Sequence, residues 1–215
     1  ILDDGFQHRY VKADINIMLV DYNCPIYEDC LLPLGRLRES LHAKDRANYI
    51  IVTKCPPNIS PIEKRIISKH LDLRAYQQLL FTTMKYGDIL PLDGSSHCPI
   101  TSKGSILCIT GIAQPAPYVE YLKKYSEQIK HIAFPDHHNY SDSDIQRILQ
   151  EYAKIDNPNK CIFTTEKDAV RLKLCNLPEE IRQQIFYIPI EPEFLTPRDQ
   201  LIKNIYDYVR QDKRK

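Results

Sequence analysis

Two adjacent carboxylates near the beginning of the sequence are the residues best suited to chemistry. Asp3 and Asp4 are followed by Gly5 and then, after one aromatic residue, by Gln7 and His8. Paired carboxylates at the end of a strand are typical of nucleotide sites, where they hold Mg²⁺ directly or through water because this ion prefers hard oxygen ligands. Gln7 and His8 follow at a spacing that can carry them into the same cleft, to orient phosphate oxygens or a substrate hydroxyl. A turn with a histidine bonded to the backbone explains the same residues without chemistry.

A second polar segment, Asp136-His137-His138, follows a predicted strand. A carboxylate can orient an imidazole for proton transfer. Alternatively, the three side chains can bind a divalent metal. The third interpretation is a turn before a helix that Ser141 or Ser143 caps. The residues alone leave these alternatives open.

Two further segments place charged residues at the ends of predicted elements. The segment 165–168, Thr-Glu-Lys-Asp, follows a strand, and its opposite charges can pair locally or contact a phosphate. Exposed ion pairs of this kind contribute little to stability. Arg36, Arg38 and Glu39 lie at a predicted helix start. Arginine suits a phosphate or a sugar-linked anion, although a solvated helix cap explains the same residues.

The hydrophobic pattern predicts the strands that must position these segments. Short apolar runs with polar ends predict buried strands, and apolar residues spaced by three and four predict helices. Strands that alternate with helices favour βαβ units and mostly parallel sheets, whose ligands bind beyond the carboxyl ends of the strands. The predicted strands cover 13–21, 47–54, 105–110, 130–134, 160–165 and 185–190, and the predicted helices cover 60–71, 116–129, 142–155 and 198–211.

The composition narrows the possible classes of protein. The chain has 29 Lys and Arg against 28 Asp and Glu, a net charge of +1, so no long-range field favours nucleic acid and we expect no nucleic-acid partner. Basic residues cluster only at 210–215, where a solvated tail explains them. The seven cysteines form no Cys-x-x-Cys pair, which indicates reduced thiols in the cytosol. No apolar run reaches the roughly 18 to 20 residues of a membrane span, so any membrane association is expected to be peripheral or to come from a part not present.

The chain contains, in this order, the segments LDDGFQHR, LLPLGRLRES, VTKC, TGIAQPAPY, FPDHHNYSDSDI and TTEKDAVRL. This ordered set resembles the tetraacyldisaccharide 4'-kinase family of lipid A biosynthesis. The resemblance implies an α/β fold, with a parallel-sheet core of the P-loop kinase type, incomplete here, and a second, smaller α/β lobe. It also implies ATP and Mg²⁺ as cofactors and transfer of the γ-phosphate to the 4'-hydroxyl of tetraacyldisaccharide 1-phosphate, a lipid A disaccharide, giving lipid IVA. It further implies a peripheral membrane location at the cytoplasmic face of the inner membrane of Gram-negative bacteria.

The resemblance assigns roles to individual residues of the first polar segment. Asp3 and Asp4 match the family's Walker B acids, which organise Mg²⁺. Gln7 and His8 match the polar pair that follows those acids, and together with Asp4 they are expected to bind the nucleotide.

Residues farther along the chain match the family's substrate and catalytic positions. Arg38 and Glu39 match a segment near the substrate cleft, and Asp136 with His137 matches an Asp-His pair thought to support the catalytic base. The sequence departs from the usual family residues at Arg36 and Ser40, where proline is frequent, and at Gln114, where asparagine is usual.

The turn-forming residues at 91–99 predict a linker between two lobes, and the resemblance implies a missing front. We expect residues 1–92 to be the remainder of the P-loop kinase core, 93–104 a linker and 105–215 a carboxyl-terminal α/β lobe. The family's phosphate-binding loop, membrane helix and proposed base all precede LDDGFQHR. The six glycines are never five positions apart, so no Gly-x-x-x-x-Gly-Lys-Ser/Thr loop occurs in these residues. We therefore expect the carboxyl-terminal two-thirds of a kinase, inactive alone.

Two other functions fit parts of the same pattern. A DHH-type phosphoesterase would use Asp136, His137 and His138 with manganese, although the upstream aspartates that such enzymes need are missing from the pattern. A non-catalytic module that binds nucleotide or lipid would use the same lobe for recognition.

Overall fold

Two sheets organise the part of the chain that the structure describes, and each has its own hydrophobic core. The computed structural model describes residues 1–8, 10–94, 98 and 102–212. Two short 3-10 helices cover Ile26–Glu28 and Leu41–Arg46. The strands are β1 (Ile17–Asp21), β2 (Tyr49–Thr53), β3 (Gln78–Tyr86), β4 (Leu90–Pro91), β5 (Ser105–Thr110), β6 (Gln128–Ala133), β7 (Lys160–Thr165), β8 (Ile185–Ile188) and β9 (Ile190–Phe194). The α-helices are α1 (Pro61–Leu71), α2 (Ala116–Leu122), α3 (Asp142–Ala153), α4 (Glu166–Lys173), α5 (Glu179–Arg182) and α6 (Asp199–Asp212).

The first sheet has the strand order β1-β2-β3-β9. β1 pairs in parallel with β2, and β2 in parallel with β3, so the carboxyl ends of these strands meet at one edge. At that edge, Lys54 Nζ donates to Asp21 Oδ2 at 2.6 Å. Burial alone would raise the pKa of Asp21, but hydrogen bonds from Lys54 and the Asn23 backbone lower it below its usual value. This edge therefore carries a local ion pair.

Helix α1 follows β2 and begins where the sequence provides a complete cap. The Ser60 hydroxyl accepts the backbone N–H of Glu63, and the Glu63 carboxylate accepts the backbone N–H of Ser60, with Pro61 at the first helical position. Ile67 and Leu71 are buried in the first core. Local capping and an apolar face together fix this helix on the first sheet.

The second sheet has the order β4-β8-β7-β5-β6. Its neighbouring strands are parallel except β4 and β8, which are antiparallel. All six residues of β5 are buried, as expected for a parallel strand covered on both faces. The carboxyl ends of β5, β6 and β7 lead directly to Gly111, Asp136 and Asp168. The carboxyl ends of these three strands therefore place three polar segments at one edge of this sheet.

Every strand and helix predicted over a stated range is present, but some bounds are different. The helix start predicted at Arg36, Arg38 and Glu39 is wrong, because the backbone N–H of Leu37 donates to the Cys30 carbonyl and holds this segment in a turn, and the 3-10 helix begins only at Leu41. The helix predicted over 116–129 ends at Leu122, because the chain turns there and the buried Ser126 hydroxyl donates to the Gly104 carbonyl at 2.6 Å. Strand β6 then begins at Gln128, ahead of the predicted start at 130. The sequence pattern did not predict β3 and α4. No helix in the described part of the chain is long and apolar enough to cross a membrane.

The structure divides the chain at other positions than the predicted linker 93–104. One compact unit comprises Ile1–Lys85 together with Glu191–Lys215, and the other comprises Tyr86–Ile190. The last residues belong to the first unit, contrary to the prediction for 105–215, because β9 adds to the first sheet beside β3 and α6 packs Leu201 against its core. Within the predicted linker, residues 95–97 and 99–101 lie outside the described residues, as do Arg9 and residues 213–215 of the basic tail.

Candidate active site

The segment Asp3–His8 forms an exposed loop in the first unit. Asp3 Oδ1 accepts the backbone N–H of Asp4 at 3.0 Å, which keeps the two carboxylates on one bend. Asp4 has a φ of 47°, in the left-handed region that aspartate adopts more readily than most residues. The backbone N–H of His8 donates to the Gly5 carbonyl at 2.9 Å and closes the loop. The side chains of Asp3, Asp4 and His8 are therefore held on a defined turn and exposed to solvent.

Two arginines connect this loop with the predicted substrate residues. Arg38 Nη1 makes a long hydrogen bond of 3.5 Å to Gln7 Oε1. Arg46 donates to the Phe6 carbonyl at 2.9 Å and to Glu39 Oε2 at 2.6 Å, and its guanidinium lies 4.8 Å from the centre of the Phe6 ring. The structure thus brings Gln7, Arg38 and Glu39 into one cluster. Arg46, which the sequence analysis missed, holds that cluster to the loop.

Asp136 and His137 lie together in the second unit, on the loop that follows β6. The backbone N–H of His137 donates to Asp136 Oδ1 at 3.0 Å and to the Gly111 carbonyl at 3.2 Å. His137 has a φ of 57°, which is uncommon for a side chain of this size and costs free energy. Asp136 Oδ2 lies 3.7 Å from His137 Nε2, and both side chains are largely exposed. The pair is therefore presented to solvent on a strained, hydrogen-bonded turn.

The fully buried carboxylate of Asp168 is linked to this pair through Gly111 and Arg171. Asp168 Oδ2 accepts the Gly111 backbone N–H at 2.9 Å and the Thr165 hydroxyl at 2.6 Å. Arg171 Nη1 donates to Asp168 Oδ1 at 3.2 Å, and Arg171 Nη2 lies 3.2 Å from His137 Nδ1. The segment 165–168, predicted to be mostly surface charge, instead places one carboxylate in the core. Thr165 also accepts the Asp168 backbone N–H and so caps helix α4.

Tyr140 adds a polar group beside this network. Its hydroxyl is buried and makes no hydrogen bond of acceptable geometry within the described residues. Burial raises the pKa of Tyr140 strongly, and the negative charge of nearby Asp168 raises it further. The phenol is therefore kept in its neutral form next to the buried carboxylate.

His138 points to a different partner than His137. Its Nε2 lies 3.0 Å from Asp144 Oδ2, and its ring stacks on Phe134 with 4.7 Å between ring centres. Asp144 also accepts the Ser141 backbone N–H at 2.9 Å as part of the cap of α3. His138 thus belongs to a helix cap, which agrees with the structural interpretation of this segment rather than with the metal-binding one.

No group of three or more His, Cys, Asp or Glu side chains in the described ranges is arranged to hold a metal ion. Asp3 and Asp4 form a pair of hard oxygen donors, which fits an ion such as Mg²⁺ that retains several waters and takes few protein ligands. The donor chemistry of this pair is consistent with the predicted role.

Comparisons with known proteins identify the family of this chain. The family model for tetraacyldisaccharide-1-P 4'-kinase matches residues 1–210. A tetraacyldisaccharide 4'-kinase from Phocaeicola vulgatus is 46% identical over 220 residues, and one from Bacteroides thetaiotaomicron is 45% identical over 227 residues; each alignment covers 100% of this chain. This chain belongs to the tetraacyldisaccharide 4'-kinase family. It spans 60% of the length of these two relatives.

A solved structure shows the same fold for this family. The "apo" form of LpxK from Aquifex aeolicus, in complex with ATP, matches with a TM-score of 0.64 and 24% identity, over 96% of this chain and 56% of that one. The predicted family and the predicted α/β fold class are therefore confirmed. The roles of individual residues in the 4'-kinase family pattern stay predictions.

The sequence analysis missed Arg46 and Arg171, which orient Glu39 and His137. Arg46 lies seven residues after Glu39, beyond any helical spacing that would indicate contact. Arg171 does carry a local signal, because Thr165, Asp168 and Arg171 follow one another at intervals of three, which fits a helix cap and the first turns of a helix.

Gly111 is expected to be needed for the close packing around Asp168. A Cβ at this position would lie 2.9 Å from Asp168 Oδ1 and 3.3 Å from the Cβ of His138. Because Asp168 is held by three donors and cannot move freely, Gly111→Ala should lower the free energy of unfolding by about 1–3 kcal/mol. Urea denaturation followed by far-ultraviolet circular dichroism measures the loss. Unchanged stability would mean that the carboxylate is not held as tightly as described.

The cap of α3 is expected to make stability depend on acid pH. Hydrogen bonds from Ser141, with a further one from His138, lower the pKa of Asp144 to about 2. The unfolded chain has a pKa of about 3.9 for this group. Since the folded pKa is depressed, the contribution is present above about pH 4 and is lost as the pH falls toward about 2. Urea denaturation at several acidic pH values should show a smaller slope for Asp144→Asn than for the exposed control Asp156→Asn. Equal slopes would contradict the assignment.

Proposed function

We propose that this chain forms part of an enzyme that transfers the γ-phosphate of ATP to the 4'-hydroxyl of tetraacyldisaccharide 1-phosphate, giving lipid IVA. One observation carries the proposal. A chain that matches the family over residues 1–210 keeps, on exposed and hydrogen-bonded turns, the acids, amide, arginine and Asp-His pair to which the resemblance assigns roles in phosphoryl transfer. Such a reaction depends on positioning and charge neutralisation more than on covalent chemistry.

The Asp3–His8 loop and Arg38 would bind the nucleotide and the substrate. Asp3 and Asp4 would hold Mg²⁺, which neutralises charge on the phosphates when bound. Gln7 and His8 would donate to phosphate oxygens. Arg38 would contact an anionic group of the lipid disaccharide.

The remaining predicted residues have separate proposed roles toward the acceptor sugar. Glu39, oriented by Arg46 at 2.6 Å, would accept a hydrogen bond from a sugar hydroxyl. Asp136 and His137 would support removal of the proton from the 4'-hydroxyl as it attacks the phosphate.

An exposed apolar loop supports a peripheral location at the cytoplasmic face of the inner membrane. Leu31, Leu32 and Leu34 are 48%, 61% and 91% exposed, and Arg36 and Arg38 follow directly. Apolar side chains beside cations favour insertion at a membrane surface with anionic lipids. Cosedimentation of the full-length protein with anionic vesicles is expected to be weaker for Leu34→Asp than for the wild type, and equal binding would contradict this role of the loop.

Mass spectrometry of the lipid products tests the proposed reaction. The full-length protein, incubated with ATP, Mg²⁺ and tetraacyldisaccharide 1-phosphate, should produce a lipid with one additional phosphate. Residues 1–215 alone should produce none, because no Gly-x-x-x-x-Gly-Lys-Ser/Thr loop occurs in them. Binding of ATP by the full-length protein without any new lipid would instead favour a non-catalytic module. Hydrolysis of a phosphodiester with manganese would favour the phosphoesterase.

A further inference from the structure

Arg171 connects the buried carboxylate of the second unit with the exposed imidazole of His137. One terminal nitrogen, Nη1, donates to Asp168 Oδ1 at 3.2 Å, and the other, Nη2, lies 3.2 Å from His137 Nδ1. The Arg171 side chain is 24% exposed and Asp168 is fully buried. The guanidinium thus spans from the core to the surface loop.

The chemistry of the guanidinium decides which imidazole nitrogen carries the proton. Arginine has only N–H donors and stays protonated in proteins, so the nitrogen that faces it must accept. A proton on Nδ1 of His137 would point at an Arg171 donor, and two donors would oppose each other. The neutral ring therefore carries its proton on Nε2.

The network that holds Arg171 is rigid enough to keep this arrangement. Asp168 is fixed by the Gly111 backbone N–H and the Thr165 hydroxyl, both within 2.9 Å, and by its place in the first turn of α4. The His137 backbone is fixed by its hydrogen bonds to Asp136 and Gly111. His137 is consequently held both at its backbone and at the Nδ1 atom of its ring.

We propose that Arg171 is a positioning residue that fixes His137 as the Nε2–H tautomer. His137 then presents a hydrogen-bond donor at Nε2, 3.7 Å from Asp136 Oδ2 and open to solvent, and this nitrogen donates to a carboxylate or a substrate oxygen and does not itself take the proton of the 4'-hydroxyl. The effect on turnover rests on the proposed kinase function, whereas the tautomer is a property of the fold alone.

Nitrogen NMR of the full-length protein with 15N-labelled histidine tests the tautomer. At a pH where histidine is neutral, His137, assigned by its loss in His137→Asn, should show a protonated Nε2 and an unprotonated Nδ1. Arg171→Met, which keeps the stem and removes every donor, should give a mixture of tautomers, and Arg171→Lys should retain the wild-type pattern. Arg182→Met is a matched control, because Arg182 is also 24% exposed but donates to the carbonyls of Lys173 and Cys175. A protonated Nδ1 in the wild type, or identical spectra for wild type and Arg171→Met, would overturn the proposal.

Kinetics of the full-length protein separate positioning from a merely structural role. Arg171→Met should lower kcat by about tenfold or more with little change in the KM for ATP, and Arg171→Lys should restore part of it. In the His137→Asn background the same substitution should add nothing, because Arg171 acts through that ring. An equal loss in both backgrounds would overturn the positioning role. Absence of transfer by the wild type would refute the kinase function, and the NMR result would still decide the tautomer.

Discussion

Replacing Asp168 with alanine is expected to lower the free energy of unfolding of the second unit by about 3–5 kcal/mol, because one partner of a buried charge pair is removed. The Asp168 side chain is 0% exposed and accepts hydrogen bonds from the Gly111 N–H, the Thr165 hydroxyl and Arg171. All three donors would lose their acceptor, and the Arg171 charge would lose its buried counterion. The substitution also leaves a cavity where the carboxylate packed.

Urea denaturation followed by circular dichroism measures this effect, since the chain has no tryptophan to report by fluorescence. Asp156→Ala, at an exposed position of the same unit, is the control and should stay within about 0.5 kcal/mol of the wild type. A loss below 1 kcal/mol for Asp168→Ala would show that the carboxylate does not organise this site.

Replacing Asp4 with asparagine is expected to reduce phosphoryl transfer by the full-length protein about 100-fold or more, because a metal ion contributes several kcal/mol of charge stabilisation. The substitution preserves shape, and asparagine tolerates the left-handed backbone at this position, where φ is 47°. The protein should therefore fold normally but require more Mg²⁺ for half-maximal activity.

Asp72→Asn provides a closely matched control for this experiment. Asp72 also has a left-handed backbone, with a φ of 44°, and it lies in the same unit at the end of α1. Its contact with Lys44 Nζ is made by the backbone carbonyl, which the substitution retains. Transfer rates and Mg²⁺ titrations should be unchanged for Asp72→Asn. An equal effect of both substitutions would contradict a metal-binding role for Asp4.

The sequence predicted those elements whose signals are local. The cap of α1 at Ser60 and Glu63 and the buried run of β5 are both visible within a few residues, and both elements form where predicted. Strand β3 mixes polar and apolar residues, and α4 is rich in charge with only a narrow apolar face, so neither pattern stood out. Tertiary burial rather than local pattern decides these two elements.

The unit boundary could not be predicted because it depends on pairing between distant residues. Strand β9 joins the first sheet beside β3, and Leu195 donates its backbone N–H to the Phe81 carbonyl at 2.8 Å. No short-range pattern in residues 190–194 indicates which sheet they complete. The predicted division at 93–104 followed the density of turn-forming residues, so it did not include the pairing of β9 with the first sheet.

The residue types of the candidate site could be predicted from the sequence, but the residues that orient them could not. Adjacent carboxylate, amide and imidazole side chains indicate possible chemistry from the sequence alone, as Asp136 and His137 do. Arg171, however, reaches His137 across 34 residues of sequence, and its position follows from the depth at which Asp168 is buried. The groups that orient a site depend on the fold, so they emerge only with the structure.

The most direct test of the proposed reaction locates the phosphate that the full-length protein transfers. Tetraacyldisaccharide 1-phosphate should be incubated with Mg²⁺ and ATP whose γ-phosphate oxygens are enriched in 18O, and the lipid should be examined by phosphorus–proton correlation NMR, in which 18O shifts the phosphorus resonance. We predict that the label appears in a new phosphate monoester on the 4'-oxygen of the disaccharide. Label that stays in ATP or inorganic phosphate, or that appears at another position of the lipid, would contradict the proposed function.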